Sequence, residues 1–435
     1  MPPQPSTANG RSATKGEVGG TAALRTFCAF RKAGCTNQRA IALVKSKPNN
    51  ASSWELLLIS PTDLATRFIP FSSLRSTTEA FIDYCLPECK PKFNYALIGP
   101  GVAQNLNQPV NLREPHGFQV GGVSMPHGKI NPAHMHFTCE VFICTRGNWQ
   151  IQWGFNPDPA STEIGEGDIV SVPTWIYRGF TNVGVDDGFL FTALGGDNTG
   201  GVLWGPTTIL AAANNGVNLT DDYRMIDTTR GEVIPAGTQL FQSMSLQEIS
   251  QLRVWTLQEM QERIVRFADL KWSSYGLLDS VLPGCGAQMA SVVGLGMTED
   301  RNLQAPVSNS HGVSIEWLRI PSGGSVSRHL LTEKQVLIAK SGQVEVSVET
   351  TEGPVAYTLI GTSGSWDTFS LPPDCWRTLR NTGEGEALAL VMTAGDHRKR
   401  ITWGEHVKTA AAGAGLAHDA SGFVAPNAFV SRAQR

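Results

Sequence analysis

Polar and apolar residues alternate with period two in GNWQIQWG (147–154) and again in GQVEVSVE (342–349). That period puts successive side chains on opposite faces of a strand, one face toward a core and the other toward water. Similar short runs recur along most of the chain, separated by Gly, Pro and Asn-rich turns. The pattern predicts an all-β protein built as antiparallel sandwiches or barrels. Helical periodicity is confined to two places. SLQEISQLRVWTLQEMQERIVRF (245–267) carries two capping boxes, Ser245/Glu248 and Thr256/Glu259, and reads as a helical connector. SSLRSTTEAFIDYCL (72–86) also has a helical pattern.

The two alternating runs belong to a longer self-similarity. SVPTWIYRGFTN (171–182) and SLPPDCWRTLRN (370–381) share Pro173/Pro372, Arg178/Arg377 and Asn182/Asn381, and further on Asp197 and Trp204 answer Asp396 and Trp403. Upstream, His134 and Gly147 answer His329 and Gly342. The chain is therefore an internal duplication. The expected divisions are an N-terminal extension (1–80, partly disordered), a first domain (81–210), a connector with helices (211–290), a second domain (291–405) and an Ala/Gly-rich tail (406–435) that packs loosely.

Composition narrows the function classes. Charged residues make up 17% of the chain and the formal charge is −3, which leaves no basic footprint for nucleic acid or a membrane surface. No apolar run reaches the roughly 18 residues of a membrane span. The eight cysteines are scattered and read as reduced thiols, which points to the cytoplasm. The first 50 residues hold eight Lys/Arg and one acid, Glu17: a disordered basic extension, or an organelle transit peptide.

The chemistry concentrates in PAHMHFTCEVFICTRG (132–147). Residues i and i+2 share a strand face, so His134 and His136 point the same way, and Glu140 keeps their parity. Two imidazoles and a carboxylate form a metal-ligand set that leaves positions on the ion open. The competing reading is a structural histidine pair. His116 and His127 are candidates for a fourth ligand, or else solvated or turn-capping residues.

The spacing G-x5-H-x-H-x3-E-x6-G (Gly128, His134, His136, Glu140, Gly147), followed by G-x5-P from Gly167 to Pro173, resembles the two motifs of the cupin superfamily. The resemblance is strong over about 95–205 and degraded over 305–405. It implies a double-stranded β-helix, or jelly roll, in each half: a bicupin formed by duplication. Most metal-binding cupins add a histidine where this chain has Arg178, and a guanidinium does not ligate metals. PTWIYR with its following Asn182 is similar to the second motif of gentisate-type ring-cleaving dioxygenases, which use three histidines and lack the glutamate.

Arg178 has two readings, a bidentate partner for a substrate carboxylate or phenolate, and a brace paired with Glu140 or Asp168. Tyr177 is a candidate general base, although its parity is opposite to that of the ligands, and Phe142 and Phe180 are candidates for an apolar wall. In the second copy Leu331 and Gln335 replace His136 and Glu140, so that copy is expected to hold no metal. The resemblance implies an Fe(II)-dependent dioxygenase acting on a small hydroxylated aromatic acid. Mn, Ni, Cu or Zn is compatible with the same ligands. The alternatives are a non-oxidative metal-dependent isomerase, cyclase or decarboxylase, or a non-enzymatic small-molecule binder. The partner expected is a small-molecule substrate, with a homo-oligomer implied by resemblance alone.

Overall fold

A computed structural model of the chain describes residues 58–433. The basic N-terminal segment, with its transit-peptide reading, lies outside the described residues. Each copy of the repeat folds as a jelly roll. In the first, one sheet runs Ile169–Val172, Glu140–Arg146, Gly188–Gly195, Phe118–Met125, Phe93–Ile98. The facing sheet runs Val202–Trp204, Ile130–His136, Arg178–Asn182, Trp149–Trp153, Ala160–Ile164. Phe142, Cys144 and Leu190 of one sheet meet Trp149, Ile151 and Phe180 of the other in a buried core. The alternation seen in the sequence is this core, since the intervening residues face outward.

The second copy repeats the order with one difference. Glu140–Arg146 and Trp149–Trp153 are separate strands in the first copy, but their counterparts fuse into one strand, Gln335–Thr350, that belongs to both sheets. The outer faces of the two larger sheets pack on each other. Val120, Ile143 and Phe191 from the first copy share a core with Trp317, Ile338 and Leu390 from the second. The architecture is thus all-β, two double-stranded β-helices with a helical connector.

The copies also exchange strands. Ile264–Val265, from the connector, pairs with Ile169–Val172 of the first barrel, while Phe68–Ile69, from before the first barrel, pairs with Thr368–Leu371 of the second. Each exchanged strand follows a short capped helix, Pro61–Ala65 on Ser60 and Leu257–Gln261 on Thr256. Each is pinned by the same trio. Arg67 donates to Ser370 Oγ (2.9 Å) beside His116 Nε2 (2.7 Å), and Arg263 donates to Ser171 Oγ (2.7 Å) beside His311 Nε2 (2.6 Å).

Three expectations differ from the structure. Residues 72–86 are not one helix: single turns at Phe71–Ser73 and Ile82–Cys85 flank a short strand, Ser76–Thr77, that pairs with Asn94 and Tyr95. Sheet pairing outweighs a weak helical propensity here. Residues 58–80, read as extension, supply the exchanged strand. The C-terminal segment forms a helix, Glu405–Gly413, that buries Val407 and Ala411, and then a small hairpin, Leu416–His418 with Val424–Pro426. The two capping boxes of the connector are formed as read, on helices Leu246–Ile249 and Leu257–Gln261. Among the described residues no helix is long and apolar enough to cross a membrane.

Candidate metal centre

His134 and His136 stand on strand Ile130–His136 of the smaller sheet, and Glu140 opens strand Glu140–Arg146 of the larger one. The loop 137–139 carries the chain between the sheets, so the three side chains converge in the interior from both. Their ligand atoms lie within 4.8 Å of one another, and all three residues are buried. His136 Nε2 is 3.3 Å from a Glu140 carboxylate oxygen.

Backbone carbonyls orient both rings. His134 Nδ1 lies 2.8 Å from the Pro132 carbonyl and His136 Nδ1 lies 3.3 Å from that of Gly201. A carbonyl only accepts, so donation to Gly201 puts the hydrogen of His136 on Nδ1 and leaves its Nε2 lone pair for the interior, as metal-binding imidazoles are commonly held, while His134 Nδ1 faces both the Pro132 carbonyl and an amide nitrogen. The Asn131 amide touches the same nitrogen of His134 (3.1 Å), and its oxygen takes the buried Lys92 ammonium (2.6 Å), which pairs with Asp83.

The electrostatics suit a cation. Burial holds His134 well below the ordinary imidazole range, and the neighbouring His136 adds to it, so the ring is a neutral donor. Burial pushes the Glu140 carboxyl up, but His136 and Arg178 outweigh it and bring it down to about 2. One Glu140 oxygen, Oε2, is buried with no hydrogen-bond donor. An ionised, underpartnered carboxylate facing the ring nitrogens of His134 and His136 is the arrangement a first-row dication satisfies. Among the described residues this is the cluster of at least three His, Cys, Asp or Glu side chains that could hold an ion.

A cavity of about 80 Å³ opens over the triad, walled by Tyr95, Val102, Val123, Phe180, Leu194 and Trp204. Neutral amides, Asn94, Gln108, Gln119 and Asn131, together with Thr192, supply its other polar surface. Gly121 also lines it, and a Cβ there would come within 3.0 Å of Thr192 Oγ1.

The two candidates for catalysis fall elsewhere. Arg178 is completely buried, donates to the Pro173 carbonyl (2.9 Å) and faces Glu140 at 3.8 Å. It does not line the cavity, so the geometry matches the brace and not the substrate clamp. Tyr177 does not line it either. Its opposite parity on the strand carries it to the outer side of the sheet, where its ring meets Phe155. Phe180 is a wall, as read, and Phe142 backs it with ring centroids 5.3 Å apart. His116 is engaged with Ser370, and His127 caps a turn at the Gly184 carbonyl. Sequence reasoning missed the Lys92–Asn131 support and the amide lining, because none of these residues sits in a recognisable motif.

In the second barrel the equivalent space is filled. Glu316 stands at the position of Gly121 and accepts from the backbone N–H groups of Met297 (2.6 Å) and Thr298 (3.1 Å). Arg377 donates to Gln335 Oε1 (2.7 Å) and Gln335 donates to Thr393 Oγ1 (2.9 Å), so a neutral amide stands where the first barrel has its carboxylate. His329 remains, with Leu331 in place of a second ligand.

No family profile and no curated protein matches the chain. Among solved structures it is similar to oxalate decarboxylase from Lactobacillus farciminis (TM-score 0.46, 14% identity, 77% of this chain and 88% of that one). It is also similar to oxalate decarboxylase from Bacillus subtilis (TM-score 0.46, 12% identity, 78% and 79%).

Proposed function

We propose that the first barrel holds a first-row divalent metal, Fe(II) or Mn(II), through His134, His136 and Glu140, and converts a small carboxylic acid without net oxidation, by decarboxylation or isomerisation. The observation that carries this reading is the size of the cavity. A space of about 80 Å³ above three convergent donors takes an acid of a few carbons. A benzene ring alone occupies an engineered cavity of roughly 150 Å³. The metal, when bound, supplies Lewis-acid polarisation of a substrate oxygen.

The chain's own residues do the rest. Glu140, ionised, lowers the net charge of the site. The amides of Asn94, Gln108 and Gln119 orient the acid, and Phe180, Val123 and Leu194 keep bulk water out. Tyr95, which lines the cavity, is the candidate to hand on a proton. Arg178 acts through Glu140, as a positioning residue.

A second reading, an Fe(II) dioxygenase acting on a hydroxylated aromatic acid, draws support from the three-ligand set with open positions. One experiment separates the two. The protein is loaded anaerobically with Fe(II) or Mn(II) and offered two- to four-carbon carboxylic acids and hydroxyaromatic acids, with CO2 release, NMR of the products and oxygen uptake recorded together. Turnover of a small acid without stoichiometric oxygen uptake is expected, with metal content and turnover both lost in His136→Ala. Stoichiometric oxygen uptake with an aromatic acid would replace the first reading with the second. Failure to retain metal would remove both.

A further inference from the structure

In the second barrel a carboxylate grows from the position that is glycine in the first. Glu316 is 1% exposed. Its oxygens accept from the backbone N–H groups of Met297 (2.6 Å) and Thr298 (3.1 Å) and from Ser291 Oγ (3.3 Å). Successive backbone N–H groups turned to one point form an anion-binding nest, and here a tethered carboxylate fills it.

The first barrel has the same loop without the carboxylate. In each copy the loop starts on a left-handed glycine, Gly99 or Gly294, whose N–H donates to the Leu112 (2.9 Å) or Val307 (2.7 Å) carbonyl. Its far end is fixed at Gln104 or Glu299, whose N–H donates to the Ala80 (2.9 Å) or Gly276 (2.6 Å) carbonyl. Residues 100–103 and 295–298 lie between these anchors, so Val102 and Ala103 match Met297 and Thr298. On the adjoining strands Ala96 pairs with Gly121 as Ser291 pairs with Glu316. The loops differ at Gly101, which is left-handed and has its N–H held by Gln119 Oε1 (2.5 Å). The next two N–H groups, of Val102 and Ala103, have no hydrogen-bond partner among the described residues. Ala96, Val102, Ala103 and Gly121 all line the cavity over the triad.

We propose that the N–H groups of Val102 and Ala103 are a carboxylate subsite of that cavity, open because Gly121 supplies no side chain. The ligand class follows from the comparison. Detached from its backbone, the Glu316 side chain is propionate, so the subsite takes a short monocarboxylate, and a cavity of about 80 Å³ has room for one. The inference rests on the reading of the cavity as a small-acid site and names where the carboxylate goes. It needs no metal, so chelated protein tests it alone.

The test is isothermal titration of the full chain, with chelator present at neutral pH, against propionate and propionamide. The two probes share a shape and differ in charge. Propionate should bind about tenfold more tightly, because hydrogen bonds to a charged acceptor are the stronger ones. Gly121→Glu, which copies the second barrel, should abolish propionate binding. Its Cβ would lie 3.0 Å from Thr192 Oγ1 and 3.2 Å from the Tyr95 carbonyl, so Gly121→Gln serves as the control for crowding. Gly121→Glu should have the higher Tm of the two, since only its side chain brings the anion that the N–H pair accepts. Equal affinity for the two probes, no binding of either, propionate binding retained in Gly121→Glu, or a lower Tm for Gly121→Glu than for Gly121→Gln would overturn the proposal. A chain that keeps no metal yet binds propionate in this way would uphold the subsite and remove the metal reading.

Discussion

At the scale of single residues, the duplication makes the second copy a control for the first. Asp83 and Asp279 occupy equivalent places, both fully buried. Asp83 has Lys92 beside it, whereas the position of Lys92 is Ala287 in the second copy, and burial pushes the Asp279 carboxyl up to about 6. Lys92 is therefore what neutralises a buried carboxylate beneath the metal centre, and its ammonium also anchors Asn131 against His134. Removing one partner of a buried pair strands the other charge, at about 3–5 kcal/mol. Lys92→Met should thus destabilise the protein by about 3 kcal/mol in urea titration, and Asp83→Asn added to it should recover a large part of the loss. Equal stability of the single and double variants would mean that the pair is screened by solvent. The two histidines were legible in the sequence because a strand's period places i and i+2 on one side, whereas Glu140 stands on the facing sheet and was legible through the motif spacing. Lys92 was not, because its partners lie 9 and 39 positions away with no repeat to flag them. Arg178 was legible only as a choice between two roles, since sequence gives its strand face but not its depth behind Glu140.

At the scale of elements, the strand exchange binds the two barrels more firmly than their sheet contact alone. The repeat that reveals it, Ser60, Leu64, Arg67 and Phe71 against Thr256, Met260, Arg263 and Phe267, is present in the sequence. It is spread over short helices and two-residue strands, too brief for periodicity to register, and so the first half of it reads as an extension. The jelly-roll strands were legible because each is long enough to show its alternation. The consequence of the exchange is testable. The Phe68 ring packs on Tyr357 and Phe369, both of the second barrel, with centroids 5.5 and 6.4 Å away. Phe68→Ala should cost about 2 kcal/mol, less than a fully buried phenylalanine because Phe68 is half-buried. Hydrogen exchange should rise in Thr368–Leu371 of the second barrel and stay unchanged in Glu140–Arg146 of the first. Faster exchange in the first barrel alone would mean that the pairing of Phe68–Ile69 with Thr368–Leu371 does not carry the contact.

At the scale of the whole molecule, one barrel presents three convergent metal donors and the other has sealed its interior, and two buried groups of the sealed one respond to acid with opposite sign. Burial, with the Arg377 charge second, lowers His329 to about 3 against an ordinary value near 6.5, the Ser327 carbonyl offsetting only part of this. Between those two values the unfolded chain binds a proton at this residue and the folded chain does not, so the contribution of His329 to stability is lost as pH falls through that window. Asp279 has the opposite sign. Its folded value near 6 lies above the ordinary carboxyl value, the folded state holds the extra proton between roughly pH 4 and 6, and stability gains as pH falls across it. The two buried groups partly cancel in the mildly acidic range. Urea titrations at pH 7 and pH 4.5, with chelator present so that protons do not compete with metal at the triad, should separate them. His329→Gln should lose less stability on acidification than the parent protein, and Asp279→Asn should lose more. Parallel losses in all three proteins would show that neither group's burial persists in solution, and the acid response would then belong to the triad of the first barrel.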